Sequence, residues 1–220
     1  MNLLKKYKLR KSDQINIDWN QVRYNRISVL NFIIKQSKIE TYLEIGCDKN
    51  LNFDSIFLKN KVGVDPLIGG THRMTSDDFF DQNDIVFDLI FIDGLHHYEQ
   101  VKRDVINSLN HSKSNSWIVL HDAFPRNAIE EYVPCITSGP WLGDVWKIAF
   151  DLMNITGIEF QLILIDFGVL VIRKYQEKVD FNTTQVRHAN RNFDYFYRNR
   201  HILPLIEWND FTLWATRVES

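Results

Sequence analysis

The sequence predicts an α/β fold: a mostly parallel sheet with helices on both faces and a final antiparallel strand. Three observations predict it. Short apolar runs alternate with amphipathic segments up to residue 120, the pattern of strand–helix–strand units. Those runs are almost continuously apolar, as strands are when helices cover both of their faces. The last two, Glu159-Phe-Gln-Leu-Ile-Leu-Ile165 and Val169-Leu-Val-Ile-Arg173, are separated only by Asp166-Phe-Gly168. Three residues with a glycine make a hairpin and are too few for a parallel crossover.

The elements follow in order. Residues 18–36 carry apolar groups at helical spacing (Val22, Ile27, Leu30, Phe32, Ile33 and Ile34) and should pack as a helix before the first strand. Thr41-Tyr-Leu-Glu-Ile-Gly46 is a short strand ending at a glycine, and residues 51–58 can form a short helix. Val62-Gly-Val-Asp65 is a second strand, halted by Pro66 and by the loop at Gly69-Gly70. Residues 74–80 are a brief third element. Strand four is Phe87-Asp-Leu-Ile-Phe-Ile92, its helix covers residues 99–109, and strand five is Trp117-Ile-Val-Leu120. A polar stretch runs from residue 175 to 190. Residues 192–214 are aromatic-rich and helical in part, interrupted at Pro204. The expected division is a domain over residues 1–175 and a helical extension over 176–220, a lid or oligomer contact rather than an independent domain, with a homodimer as one outcome.

Bulk properties narrow the function. At 220 residues the chain can bury a real core as one domain. A net charge of −2 gives no support for nucleic-acid binding. The one basic cluster, Lys5-Lys-Tyr-Lys-Leu-Arg-Lys11, reads as a solvated tail; no apolar stretch follows it as in a signal peptide. No apolar run reaches the ~20 residues of a membrane helix. Two cysteines, Cys47 and Cys135, form no C-x-x-C pair, so a reducing cytoplasm is the expected setting.

The chemistry collects at strand ends, where ligands sit in open α/β sheets. Strand four ends in Asp93, followed by Gly94, His96, His97 and Tyr98; strand five ends in His121 and Asp122. Glu44 and Gly46 close strand one, and Gly46 lets the backbone approach a ligand. Asp65 ends strand two, where an acid accepts hydrogen bonds from ribose hydroxyls. Ser76 and Asp77 either place polar groups around an adenine edge or cap the next helix. There is no G-x-G-x-x-G and no G-x-x-x-x-G-K, so NAD and nucleoside triphosphates are poorly supported.

The motifs Tyr42-Leu-Glu-Ile-Gly46, Val62-Gly-Val-Asp-Pro66, Phe91-Ile-Asp-Gly-Leu-His-His-Tyr98, Val119-Leu-His-Asp122 and Trp141-Leu-Gly-Asp-Val-Trp-Lys147 resemble one branch of the class I S-adenosylmethionine-dependent methyltransferases. That branch contains metal-assisted O-methyltransferases of sugars and natural products. The resemblance spans roughly residues 30–173. It implies a Rossmann-like, seven-stranded sheet and S-adenosylmethionine as cofactor. One departure is that Cys47-Asp-Lys-Asn50 stands where the family's first loop has its later glycines.

A sugar hydroxyl is a weak nucleophile, helped by positioning, by a base and by a metal. Asp93, His121 and Asp122 offer two carboxylates and an imidazole, a set suited to Mg²⁺, Mn²⁺ or Fe²⁺. His96 matches the histidine of D-G-x-H-x-Y and is the expected general base, with His97 a bystander. Each residue also has a plainer reading: Asp93 as a helix cap, His121 and Asp122 as a structural pair. Asp144 is expected as a helix cap, Trp141 as a sugar platform or a core residue, and Lys147 as a contact to a phosphate or sugar oxygen. The expected activity is O-methylation of a sugar or nucleotide sugar in polysaccharide biosynthesis. The alternatives are a small-molecule nitrogen or phenol acceptor, or a non-catalytic binding protein on the same fold.

Overall fold

The computed structural model describes residues 13–181 and 188–217; the basic cluster at 5–11 lies outside them. Seven strands form one sheet: β1 (Thr41–Ile45), β2 (Asn60–Val64), β3 (Phe87–Ile92), β4 (Ser112–Leu120), β5 (Ile158–Ile163), β6 (Val169–Lys174) and β7 (Leu205–Ile206). Their order is β2-β1-β3-β4-β6-β5-β7. Only β6 runs antiparallel, against both β4 and β5; the other pairings are parallel. The sheet is therefore mostly parallel, and its antiparallel strand is the second arm of the hairpin.

Among the described residues six α-helices accompany it: α1 (Arg26–Gln36), α2 (Ser76–Gln82), α3 (Tyr98–Asn110), α4 (Lys147–Leu152), α5 (Phe193–Asn199) and α6 (Trp208–Ala215). Side chains alternate across each strand, so the sheet has two cores. Leu89 and Phe91 of β3 join Val29, Leu30 and Ile33 of α1 and Phe211 and Trp214 of α6. Ile90 and Ile92 join Phe79 of α2, Val101 and Val105 of α3, Ile148 of α4 and Phe196 of α5. Both faces are covered, which is why the strands read as unbroken apolar runs. No helix of the described residues is long and apolar enough to cross a membrane.

Three local expectations change. Residues 51–58 make only one 3-10 turn, Phe53–Ser55, because Asn50 holds a left-handed backbone (φ 63°) and spends its side chain on the Gly70 N–H. The third element is a helix, α2, capped by Thr75, whose hydroxyl accepts from the Asp78 N–H. Ser76 and Asp77 are thus not the cap. The sheet reaches seven strands through Leu205–Ile206, which pairs in parallel with Leu162 and Ile163.

Candidate active site

The ends of four strands, β2, β1, β3 and β4, are sewn together by backbone bonds. The Gly46 N–H donates to Val64 O, Asp93 N–H to Ile45 O and His121 N–H to Ile92 O, at 2.9, 2.8 and 3.1 Å. Gly46 (φ 86°) lies so close to the backbone of Asp93 and Gly94 that a Cβ would collide with it. Loops with functional side chains therefore leave the sheet from a fixed rim.

A cleft of about 600 Å³ opens over β1, β2 and β3. That size is in the range of small-molecule and cofactor sites. Gly46, Asp48, Asp65, Leu67, Ile68, Ser76, Asp93, Leu95, Gln100 and Asp104 are among its lining. Asp65 receives the N–H groups of Asp48, Leu67 and Ile68 at 3.0, 2.8 and 2.9 Å. Burial pushes its carboxyl up, but those N–H donors outweigh burial and hold it below the usual range. Leu67 and Leu95 are 80% and 53% exposed, an apolar surface without cover of its own. Asp48 and Asn50 both take left-handed backbone (φ 42° and 63°). Asp and Asn tolerate that region better than other non-glycine residues, so the loop turns without its later glycines.

The expected cofactor residues divide. Gly46, Asp65 and Ser76 line the cleft; Glu44 and Asp77 do not. Glu44 alternates to the sheet's interior beside Tyr42 and is 1% exposed. Its Oε2 accepts from the Tyr42 hydroxyl at 2.5 Å and the Asn52 amide at 2.7 Å. Asp77 faces outward and pairs with Arg103 at 3.3 Å. Ser76 donates to Asp104, which burial raises to about 6. Leu67, Ile68, Leu95, Gln100 and Asp104 were not expected; exposed leucines carry no motif, and Asp104 reads as an ordinary helix residue.

Beside the cleft the ends of β3 and β4 bring together Asp93, His96, His121 and Asp122. His121 Nδ1 lies 3.3 Å from Asp93 Oδ1 and 3.3 Å from Asp122 Oδ1. His96 Nε2 lies 3.4 Å from Asp93 Oδ1, and its Nδ1 donates to the Trp141 carbonyl at 3.2 Å and faces Asp122 Oδ2 at 3.5 Å. Ligand atoms of Asp93, His96 and Asp122 are close enough together to hold one metal ion. Expected was Asp93, Asp122 and His121; the imidazole in that spacing is His96. Asp122 adopts left-handed backbone (φ 60°), which turns the carboxylate back toward the cluster.

Two unexpected residues complete the cluster. Asp166, in the hairpin after β5, lies 3.4 Å from His121 Nε2 and accepts from Arg26 Nη1 at 2.9 Å. Arg26 Nε is 3.7 Å from Asp93. Burial pushes the Asp93 carboxyl up, but His121 and His96 outweigh it and hold it far below the usual range. Burial depresses both imidazoles, yet the surrounding carboxylates raise His96 and lift His121 well above its ordinary value. Three carboxylates against Arg26 leave two negative charges, which two imidazolium protons balance. A divalent cation with both rings neutral would balance them equally. The donor set thus fits such an ion in charge as well as in spacing.

The loop before α4 fixes His96. Gly143 (φ 60°) packs directly on the His96 backbone, and the Trp141 ring lies 5.3 Å from the His96 ring. Trp141 Nε1 donates to Tyr132 O at 2.8 Å, so Trp141 is a support for the histidine rather than a bare platform. Asp144 caps α3 instead of its own helix, accepting from the Tyr98 N–H at 2.6 Å. Lys147 is 4% exposed, and its Nζ bonds Asp144 at 2.7 Å and Ala189 O at 2.8 Å. It is therefore not available to a phosphate or sugar oxygen. The Tyr98 hydroxyl is likewise internal, donating to Asp151.

Comparisons with known proteins agree with this architecture. Residues 40–123 match the family model described as a methyltransferase domain. No curated protein matches the chain. Among solved structures it is similar to the S-adenosylhomocysteine-bound methyltransferase PaMTH1 of Podospora anserina, at 17% identity and a TM-score of 0.50, over 79% of this chain and 94% of that one. It is also similar to MycE, a methyltransferase of mycinamycin biosynthesis solved with Mg, S-adenosylhomocysteine and mycinamycin VI (18% identity, TM-score 0.43, 72% of this chain and 50% of that one). A third is CalS10, an amino pentose methyltransferase of Micromonospora echinaspora (14% identity, TM-score 0.46, 78% and 95%). The match to the methyltransferase-domain model is confined to residues 40–123, and the fold around it is the Rossmann-like fold that PaMTH1 also has.

Proposed function

We propose that the protein is a divalent-metal-assisted, S-adenosylmethionine-dependent O-methyltransferase whose acceptor is a hydroxyl of a sugar or nucleotide sugar used in polysaccharide assembly. One observation carries the reading. Asp93 lines the cofactor cleft and belongs to the acid–histidine cluster, so donor and acceptor sites meet at one residue.

The cleft's residues suit the cofactor. Asp65, at the end of β2, would accept from ribose hydroxyls, and Leu67, Ile68 and Leu95 would cover a flat adenine ring. Gly46 allows the close backbone approach. At the cluster, Asp93 and Asp122 would hold the cation; His96 is the imidazole in ligand spacing with them, and His121 Nδ1 stands 3.3 Å from an oxygen of each, so the two histidines would divide ligation and base between them. A divalent cation there would supply the charge that lowers the pKa of an acceptor hydroxyl. His96 is the proposed base: its Nδ1–H is committed to the Trp141 carbonyl, so the proton it takes would sit on Nε2, where Asp93 Oδ1 at 3.4 Å would accept the hydrogen bond. Exposure supports this division, with the His96 side chain 18% exposed against 6% for His121. A base must reach substrate, whereas a ligand need only reach the ion. The hydroxyl acceptor is supported by the same groups, because a nitrogen nucleophile would not require the cation. The sugar rests on the motif resemblance.

The test is methyl transfer from S-adenosylmethionine to a panel of sugars and nucleotide sugars, with and without chelator. Chelator should abolish the activity. His96→Ala should lower kcat by roughly 10²–10⁴-fold with cofactor and Mn²⁺ affinity unchanged. Full activity in excess chelator would sink the metal, and an acceptor nitrogen would then be the better reading. Loss of Mn²⁺ binding in His96→Ala but not in His121→Ala would exchange the two histidines' roles.

A further inference from the structure

Asp104, on α3, is a buried carboxylate that the chemistry above does not use. It is 1% exposed, yet it lines the cleft over β1, β2 and β3. Its two oxygens are differently served. Oδ1 accepts from the Ser76 hydroxyl at 2.6 Å and from Gln100 Nε2 at 3.0 Å. The Gln100 amide is held that way round, because its Oε1 accepts from Arg103 Nη2. Its Nε2 also reaches Ser76 Oγ and Asp77 Oδ1, both at 3.2 Å. Oδ2 has no donor among the described residues. Burial raises the carboxyl to about 6 although Ser76 and Gln100 both donate to it. Two donors on one oxygen thus fail to offset the desolvation of the group. The missing partner is an N–H or O–H brought into the cleft.

We infer that Asp104 Oδ2 is the acceptor for the 6-amino group of the cofactor's adenine, and so selects adenine over a 6-oxo purine. This rests on the reading of the cleft as the S-adenosylmethionine site. That molecule carries few donors: the ribose hydroxyls, the ammonium of its amino-acid part and the 6-amino group. Asp65 would take the hydroxyls, and Asp93 marks the reacting end. The base would lie under Leu67, Ile68 and Leu95, where the polar lining is Ser76, Gln100 and Asp104. Ser76 and Gln100 spend their hydrogens on Asp104, so an acceptor is what remains to face the base. Ser76 and Asp77 stand behind it: Ser76 holds the carboxylate directly, and Asp77 holds Gln100. A buried acceptor discriminates because the wrong purine edge sets an oxygen against it and leaves it unpaired.

The experiment is calorimetric titration of the whole chain with S-adenosylhomocysteine and with S-inosylhomocysteine, its 6-oxo analogue. The unaltered protein should bind the adenine compound at least roughly 10-fold more tightly. Asp104→Asn keeps Oδ1 for Ser76 and Gln100 and puts a donor in the place of Oδ2. It should weaken S-adenosylhomocysteine roughly 10–100-fold and tighten S-inosylhomocysteine, reversing the order. Equal weakening of both compounds would mean that Asp104 only supports the shape of the cleft, and would overturn the inference. An unchanged order would also overturn it. Failure of the unaltered protein to bind S-adenosylhomocysteine would overturn the cofactor reading itself. A second measurement needs no variant. A proton on Oδ2 turns the acceptor into a donor, so the preference for adenine should shrink as pH falls through about 6. The charged groups facing Asp104 are Asp77 on α2 and Arg103 on its own helix, which pair with each other at 3.3 Å. A preference that stays constant between about pH 5 and about pH 8 would overturn the inference.

Discussion

Glu44 shows how alternation decides a residue's role. It ends a strand beside a cofactor-type loop, yet its position in the pleat turns it inward with Tyr42, away from the cleft. Burial raises its carboxyl to about 7 despite hydrogen bonds from Tyr42 and Asn52. An unfolded glutamate titrates near ~4.3. Between those values the native state keeps a proton that the unfolded chain has lost. Stability from this group is therefore complete below about pH 4.3, declines as pH rises to about 7, and stays reduced above, by about 4 kcal/mol in all. Glu44→Gln should remove that dependence. The variant's Tm should exceed the parent's at pH 8 and match or fall below it at pH 4; an equal difference at both would mean that the carboxylate is accommodated ionised. The neighbouring cluster was more legible. Asp93, His96, His121 and Asp122 were visible because strand ends are local in sequence and parallel neighbours bring them together. Asp166 and Arg26 were not, because a turn aspartate and a helix-start arginine carry no signal until contacts 140 residues apart join them.

At the scale of elements, the loop after β1 is the instructive case. It departs from the family's glycine pattern in the sequence, but left-handed backbone at Asp48 and Asn50 makes the turn without those glycines. Asn50 has a second duty, accepting the Gly70 N–H at 2.7 Å and so lacing this loop to the one after β2. The two contributions can be separated. Asn50→Gly loses only the side-chain bond; Asn50→Ala loses the bond and also pays about 1–2 kcal/mol for the left-handed backbone. Denaturant unfolding should rank parent, glycine variant and alanine variant in that order. An alanine variant as stable as the glycine variant would show that the loop can relax to another conformation. The α2 region was read ambiguously for a similar reason: a short run with two phenylalanines fits strand or helix until Thr75 is seen to cap it. The hairpin, by contrast, was fixed by covalent length alone.

For the molecule as a whole, the C-terminal region packs on the sheet. β7 covers the free edge of β5, and α6 places Trp214 edge-on to Trp117 at 5.5 Å. The sequence showed aromatic richness there but not the strand, since two residues carry no periodicity. A fragment ending at residue 175 should leave the β5 edge and the α6 side of the sheet open. Open edges template pairing with other chains. Light scattering should show concentration-dependent association of the fragment, reduced by Gln161→Lys on β5. A monomeric fragment with the parent's Tm would mean that the extension adds nothing to the sheet.

The position of β7 also sets a timetable for synthesis. β5 is complete at Ile163, but its edge partner begins at Leu205. At 5–20 residues per second, roughly 2–8 s separate them on the ribosome. Once β6 is complete at Lys174, the nascent sheet has every strand except β7 for the rest of that interval. Crowded translation of neighbouring copies is thus the moment when this chain is most exposed to misassembly, and slowing elongation after residue 163 should lengthen it.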